Sequence, residues 1–153
     1  QRVFIDANNQ LYMNDFVRSL VLNHRRKDAD RLLTSLYSKF YEQLNKSDTD
    51  KQVEVLIIFD DTKLKEFSKD SLQLRCARPN FKTSDDALVD LVASLKNQDS
   101  ILIATRDREL GKRLTDLNAN VCKSGHFFDF VVQFLNEGEK PKDMKSFLED
   151  FLD

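Results

Sequence analysis

Glycine and proline are scarce, at three and two residues in a chain of 153. So low a content excludes collagen-like and low-complexity sequence and argues against a turn-rich β-sandwich. It also removes two nucleotide-binding devices, because neither the glycine-rich dinucleotide fingerprint nor the P-loop is present. Cysteine is limited to Cys76 and Cys122, far apart, with no CxxC pair and no histidine at metal spacing. A zinc site is therefore not indicated. Two thiols inside apolar segments fit a reducing, intracellular compartment, cytoplasmic or nuclear. His24 and His126 belong to no partner pattern. No apolar run approaches the ~18 residues that span a bilayer, and the first residues carry no secretory pattern. No membrane partner is expected.

Hydrophobic residues make up 41% of the chain and charged ones 33%, which is globular and not disordered composition. The length suits one domain with a core of its own. The net charge of −2 is not that of a protein gripping nucleic acid through bulk positive potential. Basic residues nevertheless gather locally: Arg18 with Arg25, Arg26, Lys27 and Arg31; Arg75 with Arg78 and Lys82; Arg106 with Arg108, Lys112 and Arg113.

Short apolar runs alternate with helical spacing. Val3-Phe4-Ile5, the run 53–59, Leu72-Gln73-Leu74-Arg75-Cys76, Ile101-Leu102-Ile103-Ala104 and the stretch 119–122 read as strands. Residues 7–13 are a polar–apolar mixture, and helical spacing opens with Leu11, Phe16, Leu20 and Val21. The surest helix runs from an Asp28 cap to Asn45 on Leu32, Leu33, Leu36, Tyr37, Phe40, Tyr41 and Leu44. Further helices are predicted from Ser84, through Leu110 to Leu117 and over 127–135; a last one, with Pro141 in its first turn, carries Met144, Phe147, Leu148, Phe151 and Leu152. Most of the strands are continuous apolar runs, the mark of a parallel sheet covered on both faces. In such folds ligands bind beyond the carboxyl ends of the strands.

Acids collect at those ends. Asp6 follows the first strand, Asp60 and Asp61 the second, and Asp107 lies just past the fourth; Asp85 and Asp86 open the helix that follows the third. Singly, each has an ordinary reading as a helix cap or turn residue. Together, on one edge, they repel and lose hydration, and a divalent cation relieves both. An all-oxygen donor set favours Mg²⁺ or Mn²⁺, ions that activate water and stabilise charge on a phosphodiester. Asn9 and Thr105 are placed to orient a carboxylate or a phosphate. Arg106, Arg108 and Lys82 suit a phosphate backbone. An aspartyl-phosphate protein fits less well: the phosphatase pattern needs Asp-x-Asp, whereas Asp60 and Asp61 are adjacent.

Four segments in order, V-F-I-D-A-N-N at 3–9, I-I-F-D-D at 57–61, T-S-D-D-A-L-V-D at 83–90 and I-L-I-A-T-R-D-R-E-L at 101–110, resemble the NYN branch of the PIN-like nuclease superfamily. Within that branch the segments are similar to those of YacP-like and Regnase-like endoribonucleases. The resemblance covers roughly residues 2–135. It implies a three-layer α/β/α sandwich with a five-stranded parallel sheet ordered 3-2-1-4-5, and Mg²⁺- or Mn²⁺-dependent cleavage of single-stranded RNA. Carried over by position, it implies Asp6, Asp85, Asp86 and Asp107 as catalytic and metal-binding residues, with Asn9 beside them and Asp60 as a further acid. Two positions depart from the pattern. Arg106 stands where a small polar residue is common, and Gly111 where some relatives carry another acid. These departures leave an alternative: a weak or inactive PIN-like module docking RNA or protein in a larger assembly. A homodimer or a ribonucleoprotein partner is compatible with either reading. The organisation expected is a nuclease domain over 1–135 and a C-terminal helical extension over 136–153, packed on the domain or on a partner.

Overall fold

The computed structural model describes residues 2–46, 53–59, 67–69, 72–76, 84–138 and 140–152. The first strand, β1 (Arg2–Asp6), runs directly into α1 (Ala7–Met13); then come α2 (Asp15–Leu22) and the long α3 (Arg26–Leu44). Three strands follow, β2 (Glu54–Phe59), β3 (Phe67–Lys69) and β4 (Leu72–Cys76), and then α4 (Ser84–Ser94). The chain continues through β5 (Ile101–Ala104), α5 (Arg108–Thr115), β6 (Asn120–Cys122), α6 (Ser124–Leu135) and α7 (Met144–Glu149), which closes on a 3-10 turn over 150–152.

The sheet order is β3-β4-β2-β1-β5-β6. The expected five-stranded, all-parallel sheet is therefore corrected, among the described residues, to six strands with one antiparallel edge. Strand β3 pairs antiparallel with β4, Phe67 opposite Leu74 and Lys69 opposite Leu72, while β4, β2, β1, β5 and β6 pair in parallel. Three residues, one of them apolar, leave no period to detect, which is why β3 escapes a sequence reading.

Alternation along the strands divides the interior in two. Val3, Ile5, Val55, Ile57 and Ala104 enter one core with residues of α1, α2, α3, α6 and α7. Phe4, Leu56, Ile58, Ile101 and Ile103 enter the other with Leu88 and Val92 of α4 and Leu110 and Leu114 of α5. Both faces are thus apolar and covered, which is why the strand sequences show no polar alternation.

Helix α3 carries the buried stripe expected of it, but Arg25, not Asp28, stands at its N-cap. Asp28 sits in the first turn, bound by Arg25 at 2.8 Å and Arg31 at 3.1 Å. A carboxylate there offsets the positive end of the helix dipole without capping it. Three buried polar groups tie this layer together. Tyr37 donates through its hydroxyl to Gln10 Oε1 at 2.6 Å, and Gln10 Nε2 donates to both the carbonyl and the hydroxyl oxygen of Ser124 at 2.9 Å. The final helix begins at Met144 with Asp143 as its cap, so Pro141 precedes it and does not fill its first turn. Phe147 and Leu148 are buried in the same core as α3, and Arg31 donates to the Leu152 carbonyl at 3.0 Å.

Candidate active site at the carboxyl edge of the sheet

From the central β1 the chain builds outward through β2 and β4 on one side, then returns to lay β5 and β6 on the other. The order reverses between β1 and β5, and a crevice opens at such a switch point beyond the carboxyl ends of the strands. Asp6 is the last residue of β1, and Thr105 is the first after β5, its amide donating to the Cys122 carbonyl at 3.0 Å.

Asp6 occupies the N-cap of α1 yet makes no capping bond. Its carboxylate turns across the crevice instead, where Oδ2 accepts from Asn9 Nδ2 at 2.6 Å and from Thr105 Oγ1 at 3.2 Å. Asp6 is 4% exposed. Burial pushes its pKa above the ordinary range, further raised by the Asp107 charge; the bonds from Thr105 and Asn9 resist that rise without cancelling it. Asn9 also accepts the Arg106 backbone N–H through Oδ1 at 3.0 Å. One amide therefore joins the β1–α1 turn to the β5–α5 turn and holds the Asp6 carboxylate between them.

Asp107 caps α5, its Oδ1 accepting from the Glu109 and Leu110 amides at 2.9 and 3.1 Å. Its own amide donates to Thr105 Oγ1 at 3.2 Å. Asp85, in the first turn of α4, faces the same place from the other layer. Its pKa is pushed up to about 6, first by burial, then by the negative charges of Asp6 and Asp107 and a hydrogen bond to Asp107 that needs the proton; Arg113 opposes the rise. The Asp107 charge, in the β5–α5 turn, is thus near enough to hinder ionisation of both Asp6 on β1 and Asp85 on α4.

Asp86 does not share this position fully: its Oδ1 accepts from Arg113 of α5 at 3.1 Å. Arg113 lies in a basic stretch of the sequence, but nothing local predicts that it balances the acids of α4. Arg106 and Arg108 are exposed beside Asp107. Asp60, Asp61, Arg78 and Lys82 lie outside the described residues. Among the described residues, no three acidic, histidine or cysteine side chains already form a cage for a metal ion. The donor chemistry at the crevice, all carboxylate and amide oxygen, fits a hard divalent cation. No described helix is long and apolar enough to cross a membrane.

No protein-family model matches the chain, and no curated protein sequence does. Its structure is similar to the crystal structure of Rae1 (YacP) from Bacillus subtilis, with a TM-score of 0.59 at 16% sequence identity. The alignment covers 99% of this chain and 92% of that one. The likeness extends past the four motifs to the C-terminal helices, and the fold is that of the YacP-like group which those motifs resemble.

Proposed function

We propose that this protein is a metal-dependent endoribonuclease that hydrolyses phosphodiester bonds of single-stranded RNA in the crevice between β1 and β5. One observation carries the reading. Asp6, Asp85 and Asp107 arrive from distant parts of the chain at the switch point of the sheet, where Asp6 and Asp85 are both harder to ionise than usual. Like charges gathered in this way are relieved by a cation. The likeness to Rae1 (YacP) in fold supports an RNA-cleaving chemistry on this scaffold.

Asp6, Asp85 and Asp107 are the residues to hold Mg²⁺ or Mn²⁺, with Asp86, next to Asp85 in the sequence, and Asp60 as further acids. When bound, such an ion lowers the pKa of water and stabilises charge on a phosphoryl oxygen. Asn9 and Thr105 fix the Asp6 carboxylate in place. Arg106, Arg108 and Lys82 receive the phosphate backbone.

The alternative, a weak or inactive docking module, draws on two observations: no ready cage among the described residues and an Asp86 already engaged by Arg113. Metal-dependent stabilisation and cleavage separate the two readings. The nuclease reading expects Mn²⁺ to raise the melting temperature of the wild type and to support cleavage of a single-stranded oligoribonucleotide, and Asp6→Asn to lose both effects. A wild type that gains no stability from Mn²⁺ or Mg²⁺ and cuts no RNA is a docking module.

A further inference from the structure

A second feature adjoins the crevice. At the far end of α1 a cleft of about 520 Å³ opens between the α1–α2 turn and the start of α7. Its apolar wall is Met13, Phe16 and Met144, and Lys145 stands at its rim. Its size falls within the roughly 300–1,000 Å³ of sites that seat a small planar group.

The cleft and the crevice are joined by named contacts. Asn9, which holds Asp6, accepts the Arg106 amide. The Arg106 side chain then runs to Met13, its guanidinium 3.7 Å from the Sδ atom. Asn9 and Met13 are four residues apart on α1 and share a face. Tyr12, adjacent on that helix, is 48% exposed. Met13 lies seven residues beyond Asp6, about 10 Å along the helix axis.

We propose that this cleft is a nucleoside subsite for single-stranded RNA. An unpaired base rests on Phe16, Met13 and Met144, and the phosphate linking it to the crevice rests on Arg106. Three features suit that ligand and not an apolar peptide. Arg106 is exposed and has no acidic partner among the described residues. Lys145 is 74% exposed, loosely engaged with Glu149 at 3.9 Å and near the exposed Asp143 carboxylate. The polar side of the cleft offers amide donors: Asn14 spends its Oδ1 on the Phe16 and Val17 amides, leaving its NH₂ without a partner among the described residues. Among the described lining residues the acid is Asp15, which is paired with Arg18 at 3.2 Å. Soft apolar and aromatic surface beside cations is the usual platform for an unstacked base, and a base-paired strand cannot present one.

This inference rests on the nuclease reading for its substrate, and the test separates the two. Cleavage of an eight-nucleotide oligouridylate with Mn²⁺ is measured for the wild type, Phe16→Ala and Lys145→Gln. Equilibrium binding of the labelled octamer is read by fluorescence anisotropy in the Asp6→Asn background, where the strand stays intact. Each variant is expected to weaken octamer binding, Phe16→Ala by about tenfold, and to raise KM for the octamer. An octamer lacking its bases should bind no better than the intact octamer binds to Phe16→Ala. Because Lys145 is on the surface, Lys145→Gln serves as a check should Phe16→Ala fold poorly. If the wild type cleaves and both variants bind the octamer normally, the subsite is refuted and the nuclease reading stands. If the octamer binds in the cleft-dependent way but nothing is cut, the subsite stands and the nuclease reading falls. If the octamer is neither bound nor cut, both fall.

Discussion

Proton and metal should compete at Asp85, and the structure sets the pH at which they do so. In the metal-free protein this carboxyl titrates at about 6 instead of 3.8. The folded chain thus holds the proton more tightly than the unfolded chain. This carboxyl therefore stabilises the metal-free fold most at pH below its ordinary value, loses that contribution as pH rises to about 6, and changes little above it. A cation needs the ionised form. About nine-tenths of Asp85 is ionised near pH 7 and about one-tenth near pH 5, so apparent metal affinity should fall about tenfold over that interval. At a Mn²⁺ concentration about a hundred times the dissociation constant near pH 7, binding adds about 2.7 kcal/mol. For a domain of this size that is a rise of about 5–11 °C in melting temperature. Near pH 5 the same concentration is only about ten times the dissociation constant, and the rise should shrink to about half. The assay is a thermal melt with and without Mn²⁺ across that pH range, run beside Asp85→Asn, which should bind more weakly and lose the step near pH 6. An affinity that is flat from about pH 5 to 7, or a step that survives in Asp85→Asn, refutes the placement of Asp85 in the metal shell.

Other perturbations follow from the same geometry. Asp107→Asn should abolish RNA cleavage while moving the urea midpoint little, since asparagine caps a helix about as well as aspartate; retained cleavage by the purified variant counts against Asp107. Tyr37→Phe removes the donor to the buried Gln10 Oε1 and should cost about 1–3 kcal/mol in equilibrium unfolding; a neutral result means that water reaches that oxygen. Leu148→Ala should cost about 2–5 kcal/mol, because Leu148 is fully buried against the main core. A loss below about 1 kcal/mol in the same unfolding assay is the sign of a loosely held C-terminal helix.

Most of the sheet and the edge where its acids lie were legible in the sequence, because a doubly covered parallel strand leaves an unmistakable apolar run; Asp6 ends one such run and Asp107 follows shortly after another. What escaped depended on partners remote in the chain. Helix α1 buries Ala7, Gln10 and Leu11, and a buried glutamine spoils any apolar count; its burial makes sense only once Tyr37 and Ser124 are beside it. The pairing of Asp86 with Arg113 joins two helices that no local pattern brings together. The dual use of Asp107, capping α5 while facing Asp85, was also hidden, since a cap and a ligand look alike in sequence.

The bond from Thr105 to Asp6 spans 99 positions of the chain, and the acids it helps to align come from three separate stretches. No fragment ending before β5 can assemble them. A nascent or truncated copy would carry Asp6 without the Thr105 hydroxyl that helps to hold it. On the proposed nuclease reading, completion of folding and the onset of reactivity would be the same event.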